Sequence, residues 1–246
     1  MPAVPGLPTP GLPAPGPLAL VGSGEYLPVL EDVERQLLAG RPPRFVQLAT
    51  AAAPEGPASL ARWHDLGRRS AERLGVEQVV LPVVDRASAD DPAVAALVDG
   101  AGLVYLSGGN PPYVAATLRG TAVWTAVERA WRAGAALAGC SAGAMALTDH
   151  VPDLRHPLTP AAPGLGVVPH VRVLPHFDRF VAWLPDFLLT HVVDTPPGVT
   201  VVGIDEDTAL VGGPEVWQVR GRQSAWVLTA DGRTEHPAGS TLTTPA

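Results

Sequence analysis

The stretch "AALAGCSAGAMAL" (135–147) decides how this chain is read. Its first five residues are small and apolar, as a strand buried on both faces requires, and the residues from Cys140 onward favour a helix. At the junction stands G-x-S-x-G, formed by Gly139, Ser141 and Gly143. A strand that turns abruptly into a helix needs the positions two before and two after the turning residue free of side chains, which is the arrangement of a nucleophile elbow. In that frame Ser141 is the exposed residue, and it sits where helix-terminal N–H groups stabilise developing negative charge. Moving the frame by one would place Cys140 at the tip, flanked by Ala138 and Ala142, whose Cβ atoms crowd the turn. Cys140 is therefore expected in the core as a small apolar group. A tight turn with an idle serine is the plainer alternative, and the remaining motifs bear on it.

Short apolar runs alternate with amphipathic ones on the N-terminal side of the elbow. Strands are predicted over 18–22, 44–50, 76–83, 102–108 and 135–139, with helices near 28–39, 57–74, 92–99, 112–119 and 121–133. This alternation describes a parallel sheet with crossover helices. The clearest helix is "SLARWHDLGRRSAERLG", in which Leu60, Trp63, Leu66 and Leu74 recur near a period of 3.6 and Gly75 is the stop. Beyond the elbow come a Pro-rich loop (151–163), a strand near 166–174 and a helix near 178–191. The runs "VTVVGID", "TALVGG", "EVWQVR" and "SAWVLTA" then suggest a mixed or antiparallel extension of the sheet. The fold class is thus α/β, organised as one domain over 18–240. A Pro/Gly-rich tail (1–17), expected to be extended and mobile, precedes it, and a frayed C-terminus (241–246) follows.

Three further motifs supply partners for a serine. In "YLSGGNPPYV" a Gly-Gly pair ends a strand, where parallel sheets bind ligands, and Asn110 and Pro111 open a helix. Gly109 and Ala142 are the candidate amides for an oxyanion hole. A Gly-Gly turn that only reverses the chain is the bland alternative. Of seven histidines, His176 in "RVLPHFDRF" follows an apolar run directly and so reaches past a strand end, while His170 lies earlier on the same run. In "VVGIDEDTALVGG" three acids follow a buried strand; Glu206 is the first choice to orient the base and Asp205 the second. A solvated charged turn is the competing reading.

Composition limits the partners. Acidic residues number 24 against 17 basic ones, a formal charge of −7, which provides no footprint for a phosphate backbone. Nucleic acid is not expected. A single cysteine permits no internal disulfide, and no CxxC or HExxH spacing indicates a metal site. The first seventeen residues lack the charges and apolar run of a signal peptide, and no apolar run approaches the roughly 18 residues of a membrane span. A soluble cytoplasmic protein without cofactor is expected.

With "SGGN", "GCSAGA", "PHF" and "GIDEDTAL" in this order, the chain resembles the cyanophycinase and dipeptidase E family of serine peptidases, within the class I glutamine amidotransferase-like superfamily. The likeness extends from "LALVGSGEYLP" to about Leu228. It implies a three-layer flavodoxin-like fold with helices on both faces of a mainly parallel sheet. It also implies a triad of Ser141, His176 and Glu206, with Gly109 and Ala142 as the oxyanion positions. Relatives that degrade cyanophycin carry "DQHF", where this chain has Leu174 and Pro175 before His176, and a glutamine where Pro111 stands. Cyanophycin is therefore not the expected substrate. The resemblance points instead to small peptides or isopeptide-like amides cleaved through an acyl-enzyme, as by dipeptidase E. A substrate carboxylate would be met by Arg179 or Arg172, unless both are simply surface arginines, with Asn110 as a further substrate contact, and a homodimer is plausible. Two alternatives stand beside this reading. One is an α/β-hydrolase using Ser141, Asp205 or Asp207, and His236; the other is a catalytically silent binding protein on the same fold.

Overall fold

The structure is a computed structural model and describes residues 14–152, 159–180 and 195–245. Its first half runs β1 (Leu18–Val21), α1 (Glu31–Leu38), β2 (Arg44–Leu48), α2 (Pro57–Leu74), β3 (Glu77–Val80), α3 (Arg86–Ala89), α4 (Pro92–Ala96), β4 (Leu103–Leu106), α5 (Pro111–Leu118), α6 (Ala122–Arg132), β5 (Ala136–Cys140) and α7 (Ala142–Ala146). The remainder is mainly strand: β6 (His150–Val151), β7 (Ala162–Pro163), β8 (Val171–Pro175), a short α8 (Phe177–Phe180), β9 (Thr200–Ile204), β10 (Thr208–Gly212), β11 (Val216–Gly221), β12 (Ser224–Thr229), β13 (Gly232–Pro237) and β14 (Thr241–Thr243). The helix expected near 178–191 is seen only as α8, the rest of that span lying outside the described residues.

The main sheet has eight strands in the order β14-β11-β10-β1-β5-β4-β2-β3. From β1 to β3 all neighbours are parallel, and β10, β11 and β14 add to the β1 edge in antiparallel fashion. Successive side chains on a strand point to opposite faces, and here both faces are apolar. Leu18, Leu20, Val104, Leu106 and Leu137 enter the core shared with α5, α6 and α7. Ala19, Val21, Leu103, Tyr105, Ala138 and Cys140 enter the opposite core, beneath α1 and α2. Helices on both faces of a mainly parallel sheet make the three layers expected.

Local signals explain where the helices begin and end. Thr121 caps α6 by accepting the Trp124 N–H at 3.3 Å, and Asp85 and Ser88 form a capping box at α3. Pro57 opens α2, and Gly75 closes it in the left-handed conformation at φ 70°, its amide bonded to the carbonyls of Ala71 and Glu72.

The C-terminal strands depart from the expected single extension. They divide between the main sheet and a second sheet ordered β13-β12-β9-β8, in which β8 and β9 are parallel. One face of this second sheet, with Val173, Val202 and Ile204, joins the main core, and the other carries Leu174, Phe177, Val201 and Leu228. Nor is the end of the chain frayed as expected: β14 pairs with β11, Leu242 is buried, and the Trp217 indole donates to Thr244 Oγ1 at 2.9 Å. Alternating "TLT" supplies the inward leucine that makes this edge strand hold. At the other end, residues 1–13 of the Pro/Gly tail lie outside the described residues, but Gly16 is docked. Its amide donates to the Trp131 carbonyl at 2.9 Å, and its carbonyl accepts from the Trp131 indole at 2.8 Å. No helix among the described residues is long and apolar enough to cross a membrane.

A buried carboxyl on α1 gives the fold a pH dependence. Glu34 is 1% exposed, accepting from the Tyr26 amide at 2.9 Å and from the Ser70 hydroxyl at 2.5 Å. Burial pushes its pKa up to about 7, against the lowering hydrogen bonds and the charge of Arg73, and with Glu25 adding to the rise. A carboxyl whose pKa is higher folded than unfolded holds its extra proton only in the folded chain, so stability falls as pH rises from about 4.5 to about 7. The loss is at most about 3–4 kcal/mol, at roughly 1.4 kcal/mol per pH unit. Glu34→Gln keeps an acceptor and removes the titration. Thermal melts from pH 5 to pH 8 should show the variant gaining on wild type as pH rises, and parallel curves would refute this account.

Candidate active site

The site lies where β1, β4 and β5 end at their carboxyl termini, the edge at which open α/β sheets bind ligands. Ser141 occupies the elbow between β5 and α7 at φ 49°, ψ −109°, a conformation rare for a residue with a side chain. The two glycines explain how the chain passes. A Cβ on Gly139 would approach the Gly143 carbonyl to 2.5 Å, and one on Gly143 would collide with the Leu106 carbonyl. The Ser141 amide donates to the Val21 carbonyl at 2.9 Å, so the turn is tied to the end of β1. Cys140 is fully buried, as its frame predicts, and burial pushes its thiol well above the usual range, with the Glu25 charge adding to the rise.

The second sheet delivers the other two groups. Parallel pairing of β8 with β9 sets Pro175 opposite Ile204, so the residues just beyond these strands emerge side by side. His176 turns out at φ 51°, and its carbonyl accepts the Arg179 amide at 3.0 Å. Its Nδ1 lies 3.1 Å from Glu206 Oε1 and its Nε2 lies 3.0 Å from Ser141 Oγ. An ionised carboxylate only accepts, so Nδ1 carries the proton and donates to Glu206. Nε2 is then left as the acceptor for the serine hydroxyl. Ser141, His176 and Glu206 are thereby joined in one relay.

The neighbouring acids have other partners. Asp205 is 5% exposed and accepts from the Trp226 indole at 3.0 Å and the Ser224 amide at 3.2 Å; burial raises its pKa, while these bonds act in the opposite direction. Asp207 pairs with Arg222 at 2.7 Å. His236 lies on β13, paired across from Ala225, and none of its described contacts is to Ser141. The α/β-hydrolase triad is thus not assembled, because the histidine at the serine comes from β8. His170 instead contacts the Pro214 carbonyl, at 3.1 Å.

Four consecutive amides define the loop after β4. The amides of Ser107, Gly108 and Asn110 are taken by the Leu48 carbonyl, Glu25 Oε1 and the Ala51 carbonyl, at 2.9, 3.0 and 2.8 Å. Among the described residues Gly109 has no such acceptor. Gly109 adopts φ 140°, and a Cβ there would collide with the Ala51 carbonyl, so only glycine fits. Ala142 is the first residue of α7, where no intrahelical acceptor exists for its amide. Gly109 and Ala142 therefore remain the two amides available for a developing oxyanion.

A cleft of about 500 Å³ opens over Ser141 and His176, walled by Leu27, Trp63 and Leu66, with Glu55 and Arg62 also lining it. Neither of the two residues expected to bind substrate lines this cleft. Asn110 caps α5 by accepting the Tyr113 amide at 3.0 Å. Arg179 lies against two carboxylates, 3.3 Å from Glu206 and 3.8 Å from Asp178. Arg62 is the cleft's arginine; it stacks over Trp63 at 5.9 Å and forms no salt bridge among the described residues. Sequence reasoning missed it, and missed Glu25, Asp178 and Gln223. Asp178 accepts the Glu206 amide at 2.9 Å, and Gln223 donates to the Glu206 carbonyl at 2.8 Å, together fixing the turn that presents the acid. Asp178 had one signal, its place two residues after His176. Among the described residues no group of three His, Cys, Asp or Glu side chains is placed to hold a metal ion.

Known proteins resemble this chain in sequence and in fold. The sequence model of peptidase family S51 matches residues 19–215. The cyanophycinase of Trichormus variabilis is 30% identical over 167 residues, 64% of this chain and 55% of that protein. The cyanophycinase of Synechococcus elongatus is 29% identical over 193 residues, 72% and 56% of the two. The chain thus spans about half the length of the curated relatives it matches. A crystal structure of a peptidase from an acI-B1 actinobacterium superposes with a TM-score of 0.85 at 42% identity, covering 93% of this chain and 97% of that one. A putative peptidase E protein from Listeria monocytogenes superposes at 0.56 with 16% identity, covering 91% and 99%, a likeness of fold alone. With a match that takes in β1, the elbow, His176 and Glu206, this chain belongs to peptidase family S51.

Proposed function

We propose that the protein is a serine peptidase that hydrolyses short peptides or isopeptide-like amides through an acyl-enzyme, working in the cytoplasm without a cofactor. The observation that carries this reading is the unbroken relay from Ser141 Oγ to His176 Nε2 and from Nδ1 to Glu206. Ser141 attacks the carbonyl carbon while Nε2 takes its proton. Glu206 holds the ring and stabilises the imidazolium, and the Gly109 and Ala142 amides receive the oxyanion. His176 then protonates the leaving amine, and a water activated by the same Nε2 releases the acid. A silent scaffold would have no use for a strained serine aligned with a base, which favours catalysis.

Short substrates suit a cleft of about 500 Å³, within the range of roughly 300–1,000 Å³ usual for small ligands. Leu174 and Pro175 support a substrate other than cyanophycin. Both are buried, and Leu174 packs with Phe177 in the second sheet's outer cluster, where no polar group is offered to a ligand. Arg62 takes the role first given to Arg179, pairing with a substrate carboxylate.

Four measurements test the reading. Amine release from a dipeptide panel should fall roughly 10⁴-fold or more in Ser141→Ala and in His176→Ala, with the double variant little worse than either. Ser141 should be the residue labelled by a serine-directed phosphonate, and folded wild type that stays unlabelled and inactive would refute the proposal. Gly109→Ala keeps the amide, but its Cβ meets the Ala51 carbonyl and displaces the donor, so kcat should fall by about 10²-fold or more with KM little changed; wild-type turnover would remove Gly109 from that role. Arg62→Ala should raise KM for acidic dipeptides by about 10-fold or more and leave neutral ones within a few-fold, and an equal effect on both would exclude the pairing.

A further inference from the structure

We propose that Glu25 is a positioning residue that holds both halves of the oxyanion hole, an inference that rests on the peptidase reading above. Glu25 follows β1 and is 5% exposed at the floor of the cleft. Its Oε1 accepts the Gly108 amide at 3.0 Å, and its Oε2 accepts the Cys140 thiol at 2.7 Å. Gly108 immediately precedes Gly109, and Cys140 immediately precedes Ser141 and Ala142. Because β5 lies between β1 and β4, this one carboxylate reaches beneath the nucleophile and ties together the two chain segments whose amides face the reacting carbonyl.

The loop needs such an anchor. Two successive glycines have more backbone freedom than any other pair, and oxyanion donors act only if their orientation is set before the reaction. Ala51 holds the far side of Gly109 through the Asn110 amide, and Glu25 holds the near side through Gly108. Turning the Gly108 N–H down toward Glu25 withdraws it from the cleft and leaves the Gly109 amide as the donor. Cys140 is the second tether. A buried carboxylate requires hydrogen-bond donors, and the thiol supplies one where an alanine would supply none. The lone cysteine thus serves the site from below while serine does the chemistry above. Among the described residues Glu25 forms no hydrogen bond to Ser141 or His176, and it takes no proton in the reaction.

The test compares Glu25→Ala, Glu25→Gln and Cys140→Ala in the full-length protein, with Ser141→Ala as the blank. Glutamine keeps an acceptor for the Gly108 amide but loses the charge. Glu25→Ala is expected to lower kcat by about 10–100-fold with KM within about threefold, Glu25→Gln to return kcat to within a few-fold of wild type, and Cys140→Ala to fall between. Amide hydrogen exchange at Gly108 gives a readout that needs no turnover: protected in wild type and Glu25→Gln, exchanging about 10-fold faster or more in Glu25→Ala. If Glu25→Ala does not fold, Cys140→Ala and Glu25→Gln carry the comparison. Unchanged kcat with unchanged Gly108 exchange in the folded variants overturns the proposal. Glu25→Gln as impaired as Glu25→Ala overturns it too, since the charge and not the tether would then matter. Turnover absent from wild type, with Gly108 exchange responding as expected, instead defeats the peptidase reading and leaves Glu25 as the loop's anchor.

Discussion

Everything at the site depends on one backbone constraint, the reversal at Ser141 from a buried strand into a buried helix. Holding a side-chain-bearing residue at φ 49°, ψ −109° costs about 1–3 kcal/mol, so the surroundings must over-determine it. They do. Every residue of β5 and of α7 is buried, and the Ser141 amide is bonded to the end of β1. The glycines at 139 and 143 admit the close approach of strand, helix and β4 that a methyl group would block. The reversal puts the hydroxyl outside the sheet and leaves the first free amide of α7 beside it, so the proposed nucleophile and one proposed oxyanion donor arise from a single turn.

The second sheet solves a different problem, that of bringing a base and an acid to a serine without a long flexible reach. Its strands β8 and β9 end together, and the three acids that follow β9 separate by geometry. Val201 and the Gly203 position look toward Phe177 and the outer cluster, and Asp205 continues that face, meeting the Trp226 indole. Glu206 lies one residue past the strand's face and is free to turn toward His176. Asp207, at φ 55°, turns back into β10. Of three adjacent carboxyls, the strand's alternation retires one, the turn uses another, and only the middle one meets the base.

This explains what could be read in advance. The elbow, the Gly-Gly loop and the choice of His176 and Glu206 follow from local patterns, because each lies at the end of a short apolar run and the ends of parallel strands converge. The parallel core follows from the same runs. What was not legible depends on contacts between distant positions. Glu25 meets Gly108 and Cys140 across 83 and 115 residues, and no spacing in "VGSGEYLP" announces either bond. The division of the C-terminal strands between two sheets is likewise tertiary: alternation names the faces but not the neighbours. The last strand was missed because three residues around one leucine carry too little pattern, although burying Leu242 is enough to seat them.

Arg179 shows how the acid is tuned by its setting. It lies against the carboxylate oxygen of Glu206 that His176 does not use, 3.3 Å from Oε2, while Nδ1 takes Oε1. Its own side chain is 74% exposed, so water screens the pair and its energetic worth is small. Its geometric effect is not diminished by screening. With one oxygen held by a guanidinium, the backbone amide held by Asp178 and the carbonyl held by Gln223, the carboxylate has little freedom except to point Oε1 at the imidazole. Because the cation is so exposed, it leaves the charge of the acid largely intact: in the proposed reaction Glu206 both fixes the ring with its tautomer and stabilises the imidazolium, while the Gly109 and Ala142 amides meet the negative charge on the far side of Ser141.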